Sequence, residues 1–118
     1  MTQQEAVVGY QQPTELRFIE DVTSRVAKIE QAFIERVASI SEIRQVYSLL
    51  IHGILRFWIV IDAEVKGAEY QVYAVQGEMY REFDEPKLDF LVLNRRDFDD
   101  ESLQEIIPSK SKLIFPAL

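Results

Sequence analysis

The chain has 118 residues, 47 % of them hydrophobic, a length and content that suit one domain around a single core. Twenty Asp and Glu against thirteen Lys and Arg leave a net charge of −7, a field that repels phosphate backbones and anionic headgroups and so argues against nucleic acid or a membrane surface as partner. With no cysteine, disulfides, thiolate nucleophiles and Cys-ligated zinc are excluded.

The opening, MTQQEAVVGYQQPTEL, has neither a basic n-region nor a continuous apolar h-region. The apolar run from Val46 to Ile61 is broken by His52, Gly53 and Arg56 and falls short of the ~20 residues that span a bilayer. The expected location is therefore cytoplasmic. Residues 1–12 carry four glutamines and read as a flexible N-terminal arm ahead of a single α+β domain over 13–118.

Thr14 can cap a helix. From Leu16 to Ile40, Phe18, Ile19, Val22, Val26, Ile29, Phe33, Val37 and Ile40 recur at three and four, one apolar stripe of an amphipathic helix. Arg17, Asp21, Arg25, Lys28 and Glu35 lie opposite. Leu16 and Ile34 fall off the stripe, on a line of their own that offers a second contact face.

The next segment, SEIRQVYSLLIHGILRFWIVIDA, loses that rhythm and is rich in β-branched and aromatic residues, with a turn-competent His-Gly near its middle. It predicts two antiparallel strands. Ile43, Tyr47, Leu49 and Ile51 share a face on the first, and on the second Leu55, Phe57, Ile59 and Ile61 alternate with Ile54, Arg56, Trp58, Val60 and Asp62.

EVKGAEYQVYAVQGEMYREF suits a helix better than a strand: Val65, Ala68, Val72, Val75, Met79, Tyr80 and Phe83 then share one face, although Gly77 inside it costs ~1 kcal/mol relative to alanine. KLDFLVLNRR gives a strand, joined to the second by a parallel crossover. Ser102 and Glu105 resemble a capping box opening a short turn that Pro108 closes. Lys112 to Phe115 add an edge strand stopped by Pro116. The fold class expected is α+β: a two-layer sandwich in which a mixed sheet of three to four strands carries a long N-terminal helix and a second, shorter one.

Chemistry finds few footholds. His52, the only histidine, sits at the hairpin tip without a cysteine partner, and a serine such as Ser48 would need an acidic orienter and an oxyanion site that the pattern does not supply. Asp62 and Glu64 end one strand while Asp89 begins the next. Asp97, Asp99, Asp100 and Glu101 are weak metal candidates, since the loop lacks the central glycine and distal glutamate of an EF-hand. The four glycines are scattered, so no phosphate-cradling loop forms. No catalytic residue and no cofactor is assigned.

The order helix, strand, strand, helix, strand from Leu16 to Leu93 resembles the core of the minimal nucleotidyltransferase family, with VYSLLIHG (Val46 to Gly53) in place of that family's first strand and Gly-Ser turn. The resemblance covers two thirds of the chain and implies magnesium held by paired carboxylates on the next strand. Here Ile54, Leu55 and Arg56 stand in their place, and only Asp89 matches a third carboxylate. It implies a relative that has lost catalysis, or else a magnesium-dependent nucleotide binder.

If both helices cover one face of the sheet, apolar residues on the other remain for a partner. Leu16, Ile34, Ile54, Trp58 and Val60 are the expected interface. The expected function is that of a noncatalytic interaction or regulatory module, homodimeric or paired with another protein.

Overall fold

The computed structural model describes the backbone of residues 4–116 and the side chains of residues 21–116. Its elements, in chain order, are α1 (Gln4–Val37), β1 (Ile43–Ile51), β2 (Ile54–Ile61), α2 (Gly67–Glu82), β3 (Lys87–Asn94), α3 (Asp100–Ile106) and β4 (Lys112–Phe115). The class is α+β, with a four-stranded mixed sheet in the order β3-β2-β1-β4. β1 runs antiparallel to β2 and to β4, and β2 runs parallel to β3 across the α2 crossover.

Helix α1 starts at Gln4 rather than Thr14 and so takes in residues 4–12 of the expected arm; Glu5, Ala6, Gln11 and Gln12 are good helix formers in their own right. From Val26 onward its apolar stripe packs on the sheet as expected, with Ile29, Phe33 and Val37 fully buried in one core with Val46, Leu55, Phe57, Ile59 and Ile61, whereas the side chains of Phe18 and Ile19 lie outside the described residues. The rings of Phe33, Phe57 and Phe90 lie 4.9 to 5.1 Å apart, centre to centre. This cluster fastens α1 to β2 and β3. Arg36 ties α1 to α2, its guanidinium reaching Met79 Sδ at 3.5 Å and pairing with Glu82.

The β1–β2 hairpin closes on His52 (φ 52°) and Gly53 (φ 79°), with Ile51 opposite Ile54. Both central residues take positive φ, the pattern of a two-residue type I′ turn, whose twist matches that of the flanking strands. A Cβ on Gly53 would touch nothing within 4 Å, so the cost of a side chain there is conformational and not steric. Gly53→Ala should lower stability by roughly 1 to 2 kcal/mol and His52→Asn, a residue suited to the left-handed region, should raise it by a few tenths. Thermal melts of the two variants check this; a neutral Gly53→Ala would show that the turn is not held in that conformation.

Three local expectations change. A register shift between Ile43 and Gln45 inserts Arg44 as a bulge, so Ile43 points to the α1 face with Val46 and Ser48 while Tyr47, Leu49 and Ile51 point away. In α2 the buried residues are Ala68, Val72, Val75 and Met79; Val65 precedes the helix and is 72 % exposed, and Tyr80, at the margin of the apolar arc, is half exposed. The cap of α3 is Asp99, whose Oδ1 accepts the Ser102 N–H at 2.7 Å, so Ser102 is the third residue of the helix and not its cap.

The second face of the sheet is partly covered as well. α1 and α2 cover one sheet face, and on the other Leu103, Ile106 and Ile107 from α3 and its exit, with Phe98, cover Trp58, Val60 and Leu93.

Candidate functional site

The expected interface is largely closed within the single chain. Trp58 is 6 % exposed and Val60 fully buried, because the short helix folds back across the end of the sheet that carries them. Ile34 and Ile54 are half-buried, Ile34 against the main core. The side chain of Leu16 lies outside the described residues.

The carboxyl ends of β2 and β3, where open sheets with parallel strands commonly bind ligands, are locked by internal contacts. The Asn94 side-chain amide donates to the Ala63 carbonyl at 2.8 Å and its Oδ1 accepts the Ala63 N–H at 3.3 Å. Arg96 Nε holds Asp62 at 2.8 Å, and its other nitrogen lies 3.9 Å from Glu64. Asp89 sits opposite Arg56, at 3.3 Å, six residues back along the strand from Asp62 or roughly 20 Å away. The three acids do not converge. Among the described residues no three His, Asp or Glu side chains come together as a metal would require.

The acidic loop is partly occupied in the same way. Asp100 pairs with Arg95 at 3.1 Å and Asp99 is engaged as the α3 cap, while Asp97 and Glu101 are exposed to solvent. The Ser102 backbone N–H, helped by its side chain, holds the Asp99 carboxyl below the usual aspartate range. A depressed folded-state value means that the cap contributes fully above the ordinary aspartate range and is lost as acid takes the pH down through the lower folded value. His52 is exposed at the turn, and the hairpin uses its left-handed backbone conformation.

One polar cluster escapes the sequence. Glu30, 8 % exposed on the sheet side of α1, accepts the Ser48 hydroxyl on one carboxylate oxygen and the Lys112 ammonium, at 3.1 Å, on the other. Ser48 is 2 % exposed. A serine this enclosed, donating to a carboxylate already paired with a lysine, has no approach for a substrate. The cluster joins α1, β1 and β4 and fixes the register of the helix on the sheet. Its signal was available: Glu30 lies at the edge of the apolar stripe, next to Val37 on the helical wheel, and Ser48 interrupts an apolar strand.

A cleft of about 640 Å³ opens beside α3 between Gln45, Tyr47, Gln104 and Ser109. Its polar groups are amides and hydroxyls plus the Arg95–Asp100 pair, with Ser111 Oγ committed to the Pro108 carbonyl at 2.6 Å. It holds no nucleophile next to a base.

Among the described residues, the outer face of α2 gathers three exposed tyrosines; Leu50, Val65 and Leu91 are exposed elsewhere. Tyr70, Tyr73 and Tyr80 are 64 %, 48 % and 50 % exposed. At 100° per residue Tyr70 and Tyr73 fall with Ala74, Gly77 and Arg81 on the side away from the buried Ala68, Val72, Val75 and Met79, and Tyr80 lies on the flank of that face toward β3. Tyr70 and Tyr73 lie 6.5 Å apart, and Tyr80 stands edge-on to Phe90 at 5.4 Å. Partial burial, with Asp89 nearby, pushes the Tyr80 hydroxyl above the usual tyrosine value. Tyrosines are enriched at protein contacts because each offers a rigid apolar body with a polar tip.

Comparison with known proteins finds no family model, no curated relative and no solved structure that matches the chain. No helix among the described residues is long and apolar enough to cross a membrane.

Proposed function

We propose that this chain is a noncatalytic protein-interaction or regulatory module of the cytoplasm, and that its contact surface is the tyrosine face of α2. The observation that carries the reading is the exposure of Tyr70, Tyr73 and Tyr80 on one helix while Asp62, Asp89 and Asp100 are engaged by neighbouring arginines. An uncovered sheet face no longer supports it, since Trp58 and Val60 lie under α3. The net charge of −7 favours a protein partner over nucleic acid or anionic lipid.

A second reading draws on the order α1, β1, β2, α2, β3, which keeps open a nucleotidyltransferase-like chain that has lost catalysis. Arg56 against Asp89, where that family carries its acids, favours loss over retention.

The contact face is tested by placing a photoreactive benzoyl-phenylalanine at position 73 in the intact chain inside cells, with position 105, on α3, as control. Position 73 should give a discrete adduct several times more abundant than position 105. Equal labelling at the two positions, or none at 73, overturns the reading.

A further inference from the structure

The three tyrosines do not stand alone on α2. Along its outward side run Tyr70, Ala74, Gly77 and Arg81, with Tyr73 and Tyr80 on the flank toward β3. The centre of this line is small: a Cβ on Gly77 would meet only the tip of Arg81, at 3.6 Å, so another backbone could approach there closely. Rings dominate one half of the helix, and a ring with a guanidinium dominates the other.

That arrangement is its own complement under a two-fold axis. In an antiparallel pair of α2 helices centred between Ala74 and Gly77, Ala74 of one copy lies level with Gly77 of the other. Tyr70 lies level with Arg81, where a guanidinium meets an aromatic face, and Tyr73 lies close to the level of Tyr80. Each favourable pairing occurs twice, as an isologous interface requires. The exposed parts of three tyrosines amount to about 300 to 400 Å² per copy. With the intervening residues, two copies remove roughly 1,000 Å² from water, the lower bound for a specific contact. We infer that the occupant of the α2 face is a second copy of this chain, held in a weak, two-fold antiparallel α2–α2 contact. The inference rests on the reading of α2 as the contact face and names its partner.

Sedimentation velocity of the full chain from 1 to 500 micromolar reads the mass directly. The weight-average value should climb from 13.8 kDa toward twice that, with half-conversion in the micromolar range. Ala74→Glu, on the exposed side and compatible with a helix, should weaken association at least tenfold with an unchanged circular dichroism spectrum. Because the protein has no cysteine, Ala74→Cys reports alone: oxidation should give a covalent dimer much faster than with Gly67→Cys, at the helix start. A monomer at every concentration, association untouched by Ala74→Glu, or equal oxidation of the two cysteine variants overturns the inference. A monomer whose position 73 still crosslinks to a different protein would overturn the second copy alone and leave the contact face standing. An absent adduct at position 73 would remove both.

Discussion

Phe33→Ala is expected to cost about 3 to 5 kcal/mol. Phe33 is fully buried, and its ring sits 5.0 Å from Phe57 and 5.1 Å from Phe90, so truncation empties the point where α1 meets two strands at once. Stability of small domains is about 5 to 15 kcal/mol in general, which makes this a loss of a fifth or more of the total. Urea unfolding followed by circular dichroism and by the fluorescence of Trp58, the only tryptophan, measures it from both sides of the sheet. The two probes should shift together, because one core transition carries both faces. A loss below 1 kcal/mol would mean that α1 is not fastened to the sheet at this cluster. Phe33→Leu, which keeps most of the volume, should lose far less.

The second large effect concerns the buried carboxylate. Glu30→Ala leaves the Ser48 hydroxyl without its acceptor and Lys112 without its partner, and should destabilise on the order of 2 to 4 kcal/mol. The roles within the cluster are unequal. The Lys112 side chain is 64 % exposed against 10 % for Glu30, so water replaces much of what Lys112→Ala removes, and that change should cost less than Ser48→Ala. Replacing the pair together, Glu30→Leu with Ser48→Val, removes the buried polar atoms instead of orphaning them and should recover most of the loss. If the double variant is no better than Glu30→Ala alone, the cluster is not the closed structural network described above. Denaturant midpoints of the four variants, measured at one pH, decide between these outcomes.

How much of this was legible before the fold depended on how local each signal was. The α1 stripe from Val22 to Val37 and the hairpin around His52-Gly53 follow from periodicity and turn chemistry, both carried by adjacent residues. The face assignment of β1 failed at Ile43 because a one-residue bulge at Arg44 inverts the alternation, and a bulge in a short strand leaves no compositional trace. In α2, Tyr80 and Val65 were placed inward because the apolar arc is broad and the helix start at Gly67 was not fixed. The largest miss was Trp58 and Val60. Their cover comes from Leu103, Ile106 and Ile107, in a helix of seven residues whose return across the sheet is a tertiary event.

Part of the placement of the candidate acids was legible. Acids at positions 62, 64 and 89 could be seen to belong to opposite ends of parallel strands, and the structure keeps them apart. The pairing of Arg96 with Asp62 and of Arg56 with Asp89 could not be read, since each joins residues more than thirty apart. The α2 face was hidden for the opposite reason. Of the three tyrosines within eleven residues, periodicity puts Tyr80 on the buried face, so they do not read as one surface until the buried side of the helix is known.

The claim on which the functional reading depends is that Asp62, Asp89 and Asp100 are spent on internal partners and bind no metal-nucleotide. Calorimetric titration of the chain with a nucleoside triphosphate and magnesium tests it most directly. The account predicts heats of dilution alone, for the native chain and for Asp89→Asn alike. A saturable heat that disappears on Asp89→Asn would contradict it and return the chain to the nucleotide-binding reading.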